Sequence, residues 1–178
     1  LAVGQRFLMR DLRNIMLVDS SNDAAEALAE GTGVGEEKFV QLMNDQARAI
    51  GMVNTYFLNP TGLDLSPTTP GGYGSADDLL LLIRYIEREY PSLLNATNKT
   101  VLEVTPIGDA RRTFSNTNRI AWSIPQLIGG KTGFTDSAGG NLITIIDIGI
   151  HNPVGIIVIG SSEGGRFSDT VSLYRATV

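Results

Sequence analysis

Two strongly apolar runs, residues 141–150 and 154–162, limit the choice of fold more than any other part of the sequence. Both are rich in β-branched side chains, and the short connection His151-Asn152-Pro153 separates them. This pattern is typical of an antiparallel hairpin. Because apolar residues occupy almost every position of both runs, we expect both faces of the hairpin to be covered by other parts of the chain.

The rest of the chain divides near residue 98. Helical spacing of apolar residues predicts helices over residues 7–17, 23–30, 36–50, 75–90 and 168–178. Residues 54–74 form a loop rich in Asn, Pro, Thr and Gly, and long structured loops are often functional. The sequence therefore predicts an α+β fold in one domain of 178 residues, mainly helical over 1–97 and strand-rich over 98–178.

Composition excludes several kinds of partner. Acidic residues outnumber basic ones 19 to 14, and Arg111-Arg112 is the largest basic cluster, which argues against nucleic acid. The chain has no cysteine and one histidine, which excludes a thiolate zinc site and a multi-histidine metal site. A calcium site made of carboxylates alone stays open, but no EF-hand spacing appears, so we expect no metal. No apolar run approaches the ~20 residues of a membrane-spanning helix.

Two short motifs stand out, and each has an ordinary explanation. Ser20-Ser21-Asn22 lies in a break between two predicted helices, where Ser20 or Asn22 could cap the second helix. Lys131-Thr132-Gly133 precedes the hairpin and could begin an exposed strand. The chain contains only three lysines, so a lysine at position 131 is more informative than it is in a basic protein.

Taken together, the motifs and their flanks resemble the penicillin-binding serine D-alanyl-D-alanine carboxypeptidases, which act on the bacterial cell wall. The similar blocks, in the family's order, are residues 17–29, 51–64, 73–79 and 130–142. The resemblance covers nearly the whole chain. It implies a helical lobe beside an antiparallel sheet flanked by helices, as in β-lactamases and DD-peptidases, with the active site in the cleft between them.

The resemblance also implies acyl transfer without a cofactor. A serine attacks the terminal D-Ala-D-Ala bond of a peptidoglycan stem peptide, D-alanine leaves, and water hydrolyses the acyl-enzyme. β-Lactams mimic this substrate and trap the serine. Because peptidoglycan lies outside the cytoplasmic membrane, the resemblance implies an extracytoplasmic bacterial protein.

Catalytic roles carry over to three residues of this sequence. Ser20 matches the family's second serine, whose hydroxyl can relay a proton to the leaving amine. Asn22 supplies an amide that can orient the substrate backbone. Lys131 supplies positive charge that can stabilise developing negative charge and lower the pKa of neighbouring groups.

Substrate-binding roles carry over to four more residues. Thr132 can hydrogen-bond the terminal carboxylate, Gly133 completes the K-T-G motif, and the backbone N–H of Phe134 is a candidate oxyanion-hole donor. Arg166 follows the hairpin and matches an arginine that clamps the free carboxylate. An arginine simply solvated before the last helix is the alternative.

The family's third motif, S-x-x-K, is not present, because no serine is followed three residues later by lysine. Only 19 residues precede Ser20, so we expect the nucleophile segment and the first sheet strands to lie in a missing N-terminal part. The chain is then either a fragment of an enzyme or a naturally short, non-catalytic peptidoglycan-binding module. A DD-endopeptidase or a β-lactamase-like hydrolase of the same fold are further alternatives. Unpaired sheet edges predict a possible dimer.

Overall fold

The computed structural model describes residues 1–149 and 152–177. In that part of the chain the helices are α1 (Met9–Val18), α2 (Asn22–Gly31), α3 (Glu36–Ala49), α4 (Ala76–Glu89) and α5 (Gly165–Thr177). The strands are β1 (Tyr56–Phe57), β2 (Gly72–Tyr73), β3 (Val101–Val104), β4 (Arg112–Ser115), β5 (Leu127–Thr135), β6 (Gly139–Asp147) and β7 (Pro153–Ser161). The predicted α+β class is confirmed.

The main sheet is antiparallel, in the order β5-β6-β7. Its register places Lys131 opposite Ile143 and Leu142 opposite Val158. Strands β6 and β7 are the predicted hairpin, and the predicted turn includes His151, which lies outside the described residues. Within those residues β5 has only β6 as a strand neighbour, so the strand that carries Lys131 lies at a sheet edge.

The hairpin is covered on both faces, as the sequence predicts. Ile145 of β6 packs against Ile83 of α4 on one face. The next residue, Ile146, points to the other face and packs with Ile156 of β7 and Tyr174 of α5. Helices therefore flank the sheet, and β6 is the most deeply buried of its strands.

Helix α1 is held by a separate core. It packs against α2, β3 and β4 through Leu12, Ile15, Ala24, Val104 and Phe114. This packing fixes the C-terminal end of α1 at Val18, two residues before Ser20. The helical part of the chain thereby presents Ser20 to the strand-rich part.

The loop over residues 54–74 is tied down by two buried polar side chains. Asn44 of α3 accepts a hydrogen bond from the Phe57 N–H and donates to the Phe57 carbonyl, both at 2.8 Å. Asp78 of α4 accepts from the Asn54 N–H at 2.7 Å and from the Thr55 hydroxyl at 2.8 Å. These anchors replace regular secondary structure, since only β1 and β2 form within this loop.

Some element boundaries differ from the sequence-based prediction. Helix α5 begins three residues before the expected position 168, because the hydroxyl of Ser162 accepts a hydrogen bond from the Gly165 N–H at 2.9 Å. Helix α1 begins at Met9, two residues after the expected start. The motif around Lys131 lies inside the nine-residue strand β5 and does not mark its beginning.

Among residues 1–149 and 152–177, none of the helices has the length and apolar character that crossing a membrane requires.

Candidate active site

Ser20 and Lys131 are in direct contact. The ammonium Nζ of Lys131 donates a hydrogen bond to Ser20 Oγ at 2.6 Å. Ser20 follows α1 directly across Asp19, and its φ of 55° is the only positive φ of a non-glycine residue in the described chain. A left-handed serine between two helices is unusual, and such backbone strain is concentrated at functional sites.

The helix cap at this junction is Ser21, and neither Ser20 nor Asn22 provides it. The Ser21 hydroxyl accepts a hydrogen bond from the Ala24 N–H at 3.3 Å, as an N-cap residue does. Ser20 is thereby left free for its contact with Lys131. Asn22 is the first residue of α2, and it is exposed. Asn22 follows Ser20 by two residues in the sequence, and its exposed side chain is accessible to a ligand.

The amine of Lys131 has two acceptors and an unusual pKa. Besides Ser20 Oγ, the Nζ atom lies 2.5 Å from the backbone oxygen of Thr132. Burial lowers the pKa of Lys131 to about 8, and the positive charge of Arg166 contributes in the same direction. At neutral pH the amine is mainly protonated, yet it is close enough to its pKa to exchange a proton.

Thr132 is buried and bonded to a residue that the sequence analysis missed. Its Oγ1 lies 2.6 Å from Oγ1 of Thr117, in the connection between β4 and β5. The Thr117 N–H also donates to the Val18 carbonyl at 3.0 Å. Thr117 therefore links the end of α1 to the K-T-G strand. No local sequence signal identifies Thr117, because the stretch Asn116-Thr117-Asn118 lies between the polar residues Ser115 and Arg119.

Gly133 and Arg166 are also in contact. The guanidinium of Arg166 donates from Nη1 to the Gly133 carbonyl at 2.7 Å, and it lies 4.9 Å from the centre of the Phe167 ring. Arg166 is 7% exposed, which excludes the solvated arginine considered as an alternative. Burial lowers its pKa, the charge of Glu163 raises it, and the charge of Arg119 lowers it further, so the net shift is downward.

The backbone N–H of Phe134 points to the open edge of β5. The Gly130 N–H donates to Thr97 Oγ1 at 3.0 Å, which lies away from β6. Because N–H directions alternate along a strand, the N–H of Phe134, four residues later, faces the same side. The Phe134 side chain is exposed. This edge is also the one on which Thr132 O contacts the Lys131 amine.

A largely apolar cavity of about 510 Å³ adjoins the K-T-G strand. Residues 131–133 line one part of it, the loop over 54–74 lines another, and Leu79, Ile143 and Ile159 contribute apolar walls. A larger cavity, of about 790 Å³, lies beside α3 and β1, and its lining contains none of the predicted site residues. Of these two cavities, the smaller one is lined by the K-T-G residues and the larger one by no predicted site residue.

The structure thus brings together most of the residues that the sequence singled out. Ser20, Lys131 and Thr132 form one connected group, and Gly133 with Arg166 extends it along β5. The arrangement combines a hydroxyl, an amine of lowered pKa, and outward-facing backbone N–H groups. Such a set can move a proton and stabilise negative charge on an acyl group without a metal.

Comparison with known proteins places this geometry in a family. Residues 1–163 match the model of Peptidase S11, D-alanyl-D-alanine carboxypeptidase. The chain is 33% identical over 173 residues to D-alanyl-D-alanine carboxypeptidase DacD of Escherichia coli (strain K12), covering 97% of this chain and 42% of that protein. It is 34% identical over 180 residues to a D-alanyl-D-alanine endopeptidase of Pseudomonas aeruginosa, covering 97% of this chain and 54% of that protein.

A solved structure agrees. Penicillin-binding protein D2 from Listeria monocytogenes, in its ampicillin-bound form, is 34% identical with a TM-score of 0.81, over 95% of this chain and 67% of that one. Our chain spans only about two fifths to one half of the lengths of the two curated relatives described above. The similarity to the solved structure extends over both the helical and the strand-rich parts.

Proposed function

The chain belongs to the D-alanyl-D-alanine carboxypeptidase family, Peptidase S11, and on that premise we propose that it forms the S-x-N and K-T-G side of a serine DD-peptidase active site. The proposed reaction is hydrolysis of the terminal D-Ala-D-Ala bond of peptidoglycan stem peptides through an acyl-enzyme. The observation that carries this proposal is the 2.6 Å hydrogen bond from Lys131 Nζ to Ser20 Oγ.

That hydrogen bond decides which way the Ser20 proton points. A serine hydroxyl has a single proton, and Ser20 Oγ already accepts from the Lys131 ammonium, so its proton is free to be donated. We assign to Ser20 the transfer of its hydroxyl proton to the departing D-alanine amine. The Lys131 ammonium then gives a proton to Ser20 Oγ in its place. A lysine pKa of about 8 suits this exchange near neutral pH.

The remaining residues bind the peptide. We assign the Phe134 N–H to the acyl oxygen, because the register of β5 directs it to the open edge. The Thr132 hydroxyl binds the terminal carboxylate, and the exposed Asn22 amide binds the substrate backbone. Arg166 keeps Gly133 in place through Nη1, while its buried Nε has no hydrogen-bond partner among the described residues and favours an anion nearby.

The nucleophile of this reaction is a serine whose base is a lysine one helical turn away. Since the chain contains no S-x-x-K, we propose that these 178 residues bind the peptide without being acylated. A fluorescent penicillin should leave the 178-residue chain unlabelled. It should label a version extended at the N-terminus by an S-x-x-K segment, and replacement of the new serine by alanine should abolish the label. Covalent labelling of the 178-residue chain would falsify the motif assignment.

A non-catalytic peptidoglycan-binding module is the second candidate, favoured by the same lack of S-x-x-K. Reading the coding sequence upstream of Leu1 separates the two: an S-x-x-K motif there supports the enzyme, and a start codon near Leu1 supports the module. DD-endopeptidase activity is a third candidate, since a relative carries that name. Penicillin turnover by the extended protein would support a β-lactamase-like hydrolase instead.

The setting of the protein follows from its substrate. We propose an extracytoplasmic location in a bacterium and binding of β-lactams, as the ampicillin-bound relative suggests. Residues 1–97 and 98–178 then form the two sides of one cleft in a single, partial DD-peptidase domain. The open edges of the β5-β6-β7 sheet favour a dimer through strand pairing. Light scattering at increasing concentration should show a mass of twice 19.1 kDa, and a constant monomer mass would exclude the dimer.

A further inference from the structure

Thr117 lies between the two halves of the site and contacts both. Its backbone N–H donates to Val18 O at 3.0 Å, and its Oγ1 lies 2.6 Å from Thr132 Oγ1. We propose that Thr117 is a positioning residue, which directs the hydroxyl proton of Thr132 into the cleft, towards the carboxylate of a D-Ala-D-Ala peptide. This inference rests on the proposed function.

Proton counting gives the reason. Thr117 Oγ1 can donate either to Thr132 Oγ1 at 2.6 Å or to Val18 O at 3.3 Å, but not to both with its one proton. When it donates to Val18 O, Thr132 must donate to Thr117, and no proton is left for a ligand. When it donates to Thr132, the Thr132 proton is free. Val18 O keeps the Thr117 N–H as a partner in both arrangements.

A carboxylate ligand selects the second arrangement. A hydrogen bond to an ionised acceptor is stronger than one to a neutral carbonyl, so the peptide carboxylate outweighs the long 3.3 Å contact to Val18 O. A C-terminal amide in place of the carboxylate lacks this charge, so it favours the arrangement in which Thr117 donates to Thr132 less strongly. Thr117 thereby contributes to selection of peptides that end in a free carboxylate.

The backbone around Thr117 is held firmly enough for this role. Asn116 Nδ2 donates to the carbonyls of Thr97 at 2.8 Å and Lys99 at 2.7 Å, and Asn116 Oδ1 accepts from the Asn118 N–H at 2.8 Å. The neighbouring asparagine side chain thus fixes the turn on both sides of Thr117. A donor on a rigid support loses little conformational freedom when it binds a ligand.

The test is isothermal titration of the 178-residue chain with N-acetyl-D-alanyl-D-alanine and with its C-terminal amide. We expect the wild-type chain to bind the acid more tightly than the amide. Thr117→Val removes the donor that orients the Thr132 hydroxyl, so it should weaken binding of the acid about threefold to tenfold and binding of the amide less. Thr117→Ser keeps the donor and should restore binding of the acid. Thr113→Val, on the exposed side of β4, is the matched control and should behave as wild type.

A second measurement on the unmodified chain guards against a Thr117→Val variant that does not fold. In NMR titrations the backbone N–H proton of Thr117 should shift more with the acid than with the C-terminal amide, because Val18 O then loses the Thr117 hydroxyl as a competing donor. If Thr117→Val binds the acid as wild type does, or weakens acid and amide equally, the role of Thr117 is overturned while the proposed function stands. If the wild-type chain binds neither peptide, the proposed function fails and the role of Thr117 fails with it.

Discussion

The amine of Lys131 donates a 2.6 Å hydrogen bond to Ser20 Oγ across 111 residues of sequence. This bond joins the junction between α1 and α2 to the middle of the edge strand β5. Thr117 joins the same two regions through Val18 and Thr132. The helical and strand-rich parts of the chain are therefore connected at the site by polar groups, which makes the site sensitive to small changes at either end.

The strained backbone of Ser20 gives a first prediction. A φ of 55° costs an alanine about 1–2 kcal/mol, whereas glycine adopts it freely and loses about 0.5–1 kcal/mol in entropy. We expect Ser20→Gly to be about 0.5–1 kcal/mol more stable than Ser20→Ala in urea unfolding, although both lose the Lys131 contact. The control is Ser115 in β4, where glycine should be the less stable of the two. An equal effect at both positions would show that Ser20 is unstrained.

The lowered pKa of Lys131 gives a second prediction. Burial and the charge of Arg166 lower it from 10.5 to about 8, so between these pH values the unfolded chain binds more protons than the folded one. Stability therefore rises with pH in this window. Relative to Lys131→Met, the wild-type free energy of unfolding should increase by about 2 kcal/mol between pH 8 and 10.5, after allowance for the partial exposure of the amine.

The titration midpoint of the Lys131 amine can be measured directly by ¹³C NMR of the Lys131 Cε. We expect about 8 in the wild type and a higher value in Arg166→Gln, because that substitution removes the second cause of the shift. A wild-type midpoint near 10.5 would contradict both the buried environment and the proton-exchange role.

Pattern and resemblance predicted much of this fold and site from the sequence. The hairpin was predictable because β6 and β7 are apolar on both faces, and helices cover both. The nine-residue extent of β5 was not, because glycines at 129, 130 and 133 weaken the strand signal of that segment. Two of these glycines serve close packing: a Cβ at Gly129 would lie 2.6 Å from Thr97 Oγ1, and a Cβ at Gly130 would lie 2.6 Å from Ile143 O.

Long-range polar contacts were the least predictable features. Nothing local in the sequence indicates that Thr117 meets Thr132, or that the Arg166 guanidinium contacts the Gly133 carbonyl. Such contacts depend on how separate helices, strands and loops pack together. The residue pattern within one segment does not determine that packing. The sequence predicts Ser20 or Asn22 as the cap of α2, and the observed cap, Ser21, lies one residue from each of them. Helix ends differ by one or two residues between assignment methods.

The tether between the 54–74 loop and the β5–β6 turn gives a third prediction. Asp64 Oδ2 accepts from the Ser137 N–H at 3.1 Å. Desolvation raises the pKa of Asp64, but hydrogen bonds from Ser137, Thr135 and Gly71 together lower it more. Asp64→Ala should therefore speed amide hydrogen exchange at Ser137 at pH 7, where the carboxylate is ionised. Unchanged exchange there would contradict the tether.

A matched control for this variant is Asp136→Ala, which removes a neighbouring exposed carboxylate without touching the tether. It should leave exchange at Ser137 as in the wild type. Because Ser137 also lines the cavity beside Lys131, loosening of this turn should weaken peptide binding in Asp64→Ala and not in Asp136→Ala.

Two glycines of β5 give a fourth prediction, since they flank Lys131 closely and differ in the space around them. A Cβ at Gly130 would lie 2.6 Å from the Ile143 carbonyl and 3.2 Å from Asn118 Nδ2, so backbone must move. A Cβ at Gly133 would meet only Asn141 Cβ, at an ordinary 3.8 Å. Gly130→Ala should reduce the free energy of unfolding by about 1–3 kcal/mol, as overpacking does.

Gly133→Ala should instead fold with nearly wild-type stability and lose peptide binding, because its new methyl group enters the cavity beside Thr132. Urea unfolding and peptide titration of both variants check this pair. Equal destabilisation by the two substitutions would contradict the packing described for β5. Retained binding in Gly133→Ala would show that the peptide does not lie along the K-T-G strand.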